Sequence, residues 1–314
     1  MRKDSADVVC LASWNADLIC RVARPLQRGE TVMGRDFRVA PGGKGSNAAI
    51  ACARQGARTA LLARIGADDF GRMALSLWDA EGIDRRAVEV VHSEPSGVAQ
   101  ILVYDDGDNS IAVASGANAG LGPAHVEAAA DLLRGARVVL ASCEVPLAAT
   151  LAAFRLARAA GVTTLLNPAP APAQPLPAEL IALSDLLTPN ETELCALAGE
   201  PGGEPAGSDL ALAAQRLQAA GAGAIVVTRG AAGWTLFEPG RAPVHGRGHR
   251  VTVSDTIGAG DTFTGALAAA LARGEPLTEA LVQANAAAAL SVTGAGALGG
   301  MPDRAAVQRL LAGG

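Results

Sequence analysis

Hydrophobic and polar positions follow a regular alternation over most of the chain. From about residue 47 onward, short continuous aliphatic runs are separated by longer alanine-rich segments, and the runs include "ARVVLAS", "VTTLLNPAP", "DLLTPN" and "AIVVTRG". Continuous apolar strands between helices are typical of a mostly parallel sheet that is covered on both faces. The pattern therefore predicts an α/β protein, a three-layer α/β/α sandwich around a mostly parallel central sheet.

Two segments depart from this alternation. "CRVARPLQRGETVMGRDFRVAP" is polar and strand-like, and "SGVAQILVYDDGDNSIAVASGA" has two strand-like runs around a turn-forming Asp-Asp-Gly-Asp-Asn. They predict a small antiparallel β lid, contributed by about 15–41 and 95–114, which excludes water from a pocket beside it. We expect a single domain over 1–314, with a loop-like surface segment, "EPGGEPAGS", at 200–208.

Composition and charge narrow the classes of partner. Half of the 314 residues are hydrophobic, which is enough for a sizeable core, and the formal net charge is −5 without a Lys/Arg block. Nucleic acid is therefore not expected as a partner. The N-terminal residues lack the apolar run of a signal peptide, and the long alanine-rich stretches contain arginine, so we expect a cytoplasmic protein without membrane contact. The five cysteines are far apart, which favours small buried residues over zinc or disulfide sites.

Polar residues follow many of the predicted strands. Ligands of open parallel sheets bind at the carboxyl ends of the strands, so these residues should meet at one edge. Asn and Thr also cap helices in such turns, but the number of these endings favours a shared site. The residues are Asn15, Asp17, Glu144, Asn167, Asn190, Glu193 and Thr228.

A glycine-containing segment, "DTIGAGDTFTGALAAAL", precedes a long alanine-rich helix. The small residues Gly258, Ala259 and Gly260 let an anion approach the free N–H groups at the helix start. Asp261 is either the cap of this helix or an acid with a chemical role, and the segment alone leaves both open.

A second glycine-containing segment, "PGGKGSNAAIACARQGA", also leads into an apolar helix. Gly43 allows close approach of the backbone, while Lys44 and Asn47 supply hydrogen-bonding groups that suit a polyhydroxyl ligand. It is not a Walker A loop, because Arg38 and Gly45 stand where that motif requires Gly and Ser or Thr. "GAGALG" at 294–299 has the spacing of a dinucleotide motif but follows a helical run instead of a strand, so we reject that interpretation.

In longer form, the two segments carry a family resemblance. "PGGKGSNAAIACARQGARTALLARIGADDFG" and "DTIGAGDTFTGALAAAL" resemble both signatures of the ribokinase-like family of carbohydrate kinases, and the resemblance extends over nearly the whole chain. "NAD" at 15–17, "NPAPA" at 167–171, "TPNETE" at 188–193 and "VTRGAAG" at 227–233 add to it. The resemblance implies ATP-dependent phosphorylation of the 5-hydroxyl of D-ribose, with Mg²⁺ required and K⁺ activating.

The resemblance also implies roles for individual residues. Asp261 is the expected general base, and the N–H groups of Gly258, Ala259 and Gly260 form the expected anion hole. The expected sugar contacts are Asn15, Asp17, Gly43, Lys44, Asn47, Glu144 and Asp261, covered by Ala99 and Ile101 of the lid. The expected ATP contacts are Asn190, Thr228, Gly230, Gly233, Gly260 and Asn285. Asn190 and Glu193 are expected to hold Mg²⁺ through water, and Asp255, Ile257, Ser291, Gly294, Gly296 and Gly300 to hold K⁺.

Four positions differ from the usual family pattern. Trp14 and Ser46 affect the expected shape of the pocket, while Gly294 and Gly300 affect the expected cation selectivity. A kinase for another small sugar or a nucleoside is the nearest alternative, with Trp14 as the candidate wall for a base. A catalytically silent sugar-binding regulator is the alternative from another class. The resemblance further implies a homodimer formed through the lid.

Overall fold

The computed structural model describes residues 5–199 and 209–313, so the predicted loop at 200–208 lies outside the described residues. The strands are β1 (Val8–Ala12), β2 (Asn15–Arg21), β3 (Arg35–Gly42), β4 (Thr59–Gly66), β5 (Asp84–Val91), β6 (Gly97–Val103), β7 (Asn109–Ala114), β8 (Val138–Ser142), β9 (Thr163–Asn167), β10 (Leu186–Leu187), β11 (Ala224–Thr228), β12 (Trp234–Phe237) and β13 (Val244–Gly246). The helices are α1 (Lys44–Arg54), α2 (Asp69–Ala80), α3 (Pro123–Ala128), α4 (Ala130–Gly135), α5 (Leu147–Ala159), α6 (Ala178–Ala182), α7 (Glu191–Leu197), α8 (Leu210–Ala219), α9 (Ala259–Ala272), α10 (Leu277–Ser291), α11 (Gly296–Gly299) and α12 (Arg304–Leu311).

The central sheet has nine strands in the order β13-β12-β11-β10-β9-β8-β1-β4-β5. From β5 to β11 every pair is parallel, and only the pairs β11–β12 and β12–β13 at one edge are antiparallel. Strands β1 and β8 are buried along their whole length, as their unbroken aliphatic sequences predict. Helices α1, α2, α9, α10 and α12 cover one face, and α3 to α8 cover the other. The predicted three-layer sandwich is confirmed.

Helix α9 lies at the centre of one helical layer and is buried on nearly all sides. Its alanines and Gly265 let α1 approach closely, because a Cβ on Gly265 would lie 2.3 Å from the carbonyl oxygen of Ala48. The close packing fixes the start of α9 relative to the start of α1. No helix in the described ranges is long and apolar enough to cross a membrane.

A second sheet of four strands, in the order β3-β2-β6-β7, forms the predicted lid. The two outer pairs are antiparallel, as the sequence predicted for the lid, and the central pair β2–β6 is parallel. The reason is that two separate hairpins build the lid. Their first strands, β2 and β6, pair from Asn15 and Gly97 onward and run in the same direction.

The cysteines differ in part from their prediction. All five are unpaired, and Cys10, Cys52 and Cys195 are buried as expected. Cys20, in the lid, and Cys143, at the end of β8, are only partly buried. Cys20 lies in the lid and Cys143 at the carboxyl edge of the central sheet, where fewer residues pack around a side chain than in the core. These two are therefore not the buried apolar residues that the sequence predicted.

Candidate active site

The start of α9 lies at the carboxyl edge of the central sheet. Gly258 is the residue before the helix, with a left-handed φ of 75°, and no side chain caps this end. The N–H groups of Gly258 and Gly260 meet no acceptor within the described chain, while that of Ala259 donates to Thr256 O at 3.3 Å. A Cβ on Gly260 would have open space around it. The helix start can therefore receive an anion on unengaged backbone donors.

Asp261 lies in the first turn of α9 and is 7% exposed. Its Oδ2 accepts a hydrogen bond from Asn47 Nδ2 at 2.8 Å instead of capping the helix, which excludes the cap interpretation. Burial raises the pKa of Asp261, although the Lys44 charge and the Asn47 hydrogen bond oppose the rise. A carboxylate with a raised pKa at the edge of a cleft is suited to accept a proton.

The loop before α1 faces Asp261 and is held by Glu144, which follows β8. Glu144 Oε2 accepts from the backbone N–H of Lys44 at 2.9 Å and from Ser13 Oγ at 2.7 Å. Ser13 Oγ in turn accepts from Gly45 N at 3.2 Å. Gly43 has a φ of 92°, and a Cβ there would lie 2.6 Å from Ser13 O. The sequence analysis missed Ser13, because a small polar residue between two apolar ones carries no signal.

Several carboxylates surround Lys44 in this loop. Burial raises the pKa of Asp17 to about 7, and Glu144 and Asp261 reinforce the rise while Lys44 opposes it. Burial alone lowers the pKa of Lys44, but the surrounding carboxylates, of which Asp261 is the strongest, outweigh burial and raise it. Lys44 is therefore a cation shared by several carboxylates, and the repulsion among these carboxylates favours the protonated form of Asp17.

The residues expected to contact the sugar from the lid lie on β2 and β6. Asn15 and Asp17 are at the start of β2, and Asp17 pairs with Ala99 of β6, two residues before Ile101. Gly42 lies directly under the Asp17 carboxylate, since a Cβ there would lie 2.2 Å from Asp17 Oδ1 and would displace that side chain. The lid thus brings Asp17 and the loop before α1 into contact.

The residues expected at the nucleotide lie at the ends of β10 and β11. Glu193 N donates to Asn190 Oδ1 at 2.8 Å, and Asn190 N donates to Glu193 Oε2 at 2.9 Å, so the two form a capping box on α7. The backbone of Asn190 also forms an isolated parallel β-bridge with that of Thr228. Burial raises the pKa of Glu193, and the Asn190 hydrogen bond opposes this. Asn285, on α10, donates through Nδ2 to Arg247 O at 2.9 Å.

Tight backbone turns border this region. Gly230 and Gly233 have positive φ values of 52° and 92°. A Cβ on Gly233 would lie 2.1 Å from Gly246 O, so only glycine fits the turn as it stands. The turn brings the end of β11 against the end of β13.

The residues expected at K⁺ are brought together by two loops. Asp255 accepts from Ile257 N at 3.0 Å through Oδ1 and from Gly296 N at 2.8 Å through Oδ2. A Cβ on Gly300 would lie 2.1 Å from Ser291 O, and a Cβ on Gly294 would lie 2.3 Å from Gly300 N. The departure from the family pattern at Gly294 and Gly300 therefore reflects close backbone packing.

The other two departures lie in the core. Trp14 is fully buried and contacts Trp78 edge to face, with ring centroids 5.7 Å apart. Ser46 is also buried, and its Oγ accepts from Trp78 Nε1 at 2.8 Å. The expectation that Trp14 walls a nucleoside base is wrong, because the ring is inside the core. Ser46 and Trp14 therefore affect the shape of the pocket only through their packing in the core.

Two cavities differ in their relation to this region. The larger, of about 890 Å³, lies between β5 and the α3–α4 segment, and none of the predicted site residues lines it. The smaller, of about 10 Å³, lies directly under the site between Lys44, Ser142, Asn167 and Asp261. The chemistry of the side chains, and not cavity size, locates the site.

Comparison with known proteins decides the family. The pattern of the "pfkB family carbohydrate kinase" matches residues 5–304. The chain belongs to this family. It is therefore a phosphotransferase with an alcohol group as acceptor, which confirms the resemblance seen in its two signatures.

Individual relatives agree with the family. The chain is 38% identical to a ribokinase of Haemophilus influenzae over 295 residues, 94% of either chain, and 33% identical to a deoxyribokinase of Salmonella typhi over 95% of this chain and 96% of that one. It is also similar to the structure of Arabidopsis thaliana ribokinase complexed with ribose and ATP, with a TM-score of 0.91, 33% identity and coverage of 98% and 99% of the two chains.

Proposed function

We propose that this pfkB-family kinase transfers the terminal phosphoryl group of ATP to the 5-hydroxyl of D-ribose. The observation that carries the proposal is the position of Asp261, a buried carboxylate with a raised pKa beside the unengaged N–H groups of Gly258 and Gly260. The similarity to a ribokinase whose structure is complexed with ribose and ATP supports the choice of both substrates.

In this proposal, Asp261 accepts the proton of the sugar hydroxyl while the unengaged N–H groups of Gly258 and Gly260 stabilise the transferring phosphoryl group. The N–H of Ala259 joins them by exchanging its long hydrogen bond to Thr256 O for the phosphoryl oxygen. Phosphoryl transfer depends mostly on positioning and charge stabilisation, so one base and preorganised donors suffice. The Asn47 hydrogen bond holds the carboxylate in place.

The sugar hydroxyls are held by the polar groups around the loop before α1. Asn47 Oδ1 is buried without a partner in the described chain, so it requires a donor that a sugar hydroxyl can supply. Asn15, Asp17, Gly43, Lys44 and Glu144 complete the proposed sugar site, with Ala99 and Ile101 of the lid above it.

The proposed nucleotide site lies at the ends of β10 and β11 and on α9 and α10. ATP contacts Asn190, Thr228, Gly230, Gly233, Gly260 and Asn285. One carboxylate oxygen of Glu193 caps α7, so Asn190 and Glu193 fit a contact with Mg²⁺ through water, and this ion neutralises phosphate charge when bound.

The proposed K⁺ site consists of Asp255, Ile257, Ser291, Gly294, Gly296 and Gly300. Carbonyl and carboxylate oxygens are the donors that a hard cation prefers, so the residue types fit the ion. Since Asp255 joins the two loops, a cation here fixes the start of α9.

We further propose a homodimer formed through the lid of a single kinase domain, residues 1–314, in the cytoplasm. Strand β7, at the outer edge of the lid sheet, exposes Ile111 and Val113 on the same face, an apolar surface that a second copy would cover. Analytical ultracentrifugation of the wild type and of Ile111→Lys tests this: a dimer that becomes a monomer in the variant supports it, and a monomeric wild type contradicts it.

The test of the activity is ATP-dependent phosphorylation of D-ribose, 2-deoxyribose, fructose, tagatose, adenosine and uridine, with Mg²⁺ and with or without K⁺. Selective turnover of ribose that K⁺ increases is the expected result. The similarity to a deoxyribokinase makes 2-deoxyribose the second candidate. Turnover of none of these compounds would contradict the proposal and favour a silent sugar-binding regulator.

A further inference from the structure

Asn118 lies in the short 3-10 turn Gly116–Gly120, which follows the last lid strand, β7. Its side chain is 2% exposed and binds the backbone of one residue twice. Oδ1 accepts from Trp14 N–H at 2.9 Å, and Nδ2 donates to Trp14 O at 2.8 Å. The amide thus holds Trp14 as a neighbouring strand would, at the point where β1 continues into the lid.

The same amide also contacts a proposed sugar ligand. Asn118 Nδ2 donates to Asn15 Oδ1 at 3.1 Å. Because the oxygen end of the Asn15 amide is engaged, its Nδ2 end is the free one, and it makes no hydrogen bond within the described chain. Asn15 therefore offers a donor, and not an acceptor, to a ligand.

Three connections between body and lid meet at this point. Trp14 and Asn15 lead into β2, Gly97 begins β6, and Asn118 follows β7. A Cβ on Gly97 would lie 2.3 Å from both Asn118 Nδ2 and Asn15 Oδ1, so the backbone of β6 packs directly on the two amides. The Asn118 and Asn15 amides are therefore held against each other by the backbone of β6.

We propose that Asn118 is a positioning residue for sugar recognition. By engaging Asn15 Oδ1, it makes the Asn15 amide a hydrogen-bond donor toward a substrate hydroxyl, while its own two hydrogen bonds to Trp14 hold the Asn118 amide in the orientation that this contact needs. The proposal rests on the sugar kinase function proposed above. Without the Asn118 donor, the Asn15 amide is free to turn over and present its oxygen instead.

The variant Asn118→Asp tests this role with almost no change in shape. The carboxylate still accepts from Trp14 N–H but has no donor, so Asn15 turns its N–H₂ toward it and presents Oδ1 to the sugar. The expected result is a rise of about 10-fold or more in KM for the sugar, while kcat and KM for ATP stay within about 3-fold. Asn109→Asp makes the same chemical change on the exposed start of β7 and should leave all three constants unchanged.

A double-mutant cycle separates positioning from a general structural role. In an Asn15→Ala background, Asn118→Asp should change the sugar KM by less than about 2-fold, because the group through which it acts is gone. Should Asn118→Asp fail to fold, Asn118→Ala takes its place in the cycle, with a smaller rise in sugar KM expected. Non-additivity in either variant supports the role.

Two results would overturn it. An additive effect of the two substitutions, or an equal deterioration of kcat and of KM for ATP, shows that Asn118 only stabilises the fold. If the wild type turns over the sugar and either of these results is obtained, the role of Asn118 is overturned while the proposed function stands. Absence of sugar turnover and of sugar binding by calorimetry in the wild type overturns the proposed function, and the role of Asn118 with it.

Discussion

Replacing Asp17 with Asn tests the charge cluster beneath the lid. Burial and the neighbouring carboxylates Glu144 and Asp261 raise the pKa of Asp17 from an ordinary value of 3.8 to about 7. Between these pH values the folded state binds a proton that the unfolded state releases, so the free energy of unfolding falls as the pH rises from about 4 through 7. Above pH 7 the ionised side chain is fully destabilising.

The magnitude follows from the same values. A pKa difference of about 3 pH units corresponds to a ceiling of about 4 kcal/mol, at about 1.4 kcal/mol per unit. Solvent reaches the lid edge and the cluster relaxes, so we expect about 1–2 kcal/mol of net destabilisation at pH 8. Asp17→Asn removes this cost, and its free energy of unfolding should exceed that of the wild type by this amount at pH 8 and by almost nothing at pH 4.

The assay is urea unfolding of both proteins without ligand at pH 4, 6 and 8. Asp106→Asn, which removes the same charge from an exposed turn of the lid, serves as the control and should not change the pH dependence. The more stable Asp17→Asn variant should bind the sugar more weakly, because it lacks a carboxylate for the hydroxyls. Equal pH dependence of stability in wild type and variant would refute the idea that Asp17 is held at an electrostatic cost.

Three further changes test other parts of the site. Asp261→Ala should lower kcat by about 10²–10⁴-fold in steady-state assays while calorimetry still detects sugar binding, and near-normal turnover would remove its role as base. Gly300→Ala, whose Cβ meets Ser291 O, should reduce the activation by K⁺ and lower the melting temperature; full activation by K⁺ would separate this loop from the cation. Trp78→Phe loses the hydrogen bond to Ser46 and should cost about 1–2 kcal/mol in urea unfolding with an unchanged sugar KM, and a changed KM would place Trp78 in the pocket instead.

Motifs with a fixed local geometry were predictable because their chemistry is local. Residue type alone predicts the left-handed backbone of Gly258 before α9 and the small residues that follow it. It also predicts the tight loop at Gly43. The strands of the central sheet follow from unbroken aliphatic runs, which only a sheet covered on both faces can bury. The family resemblance of these segments is confirmed by the match over residues 5–304.

Contacts between distant residues were not predictable in this way. Asn118 is more than a hundred residues from Trp14 and Asn15, and Ser13 is as far from Glu144, so no local pattern links them. The direction of β6 along β2 depends on where two hairpins leave the body. Trp14 looked like a pocket wall and is a core residue because Trp78 lies beside it.

The sequence by itself therefore determined the layer architecture, the two glycine segments and the types of residue that the chemistry needs, since each depends on periodicity or on the conformational freedom of one residue. Only the tertiary structure decided that Asp261 bonds to Asn47 and does not cap its helix, and that Asp17 shares its surroundings with two other carboxylates. Hydrogen bonds and pKa values depend on distances of a few ångströms between side chains from different elements, and such distances exist only once the helices and the lid have packed.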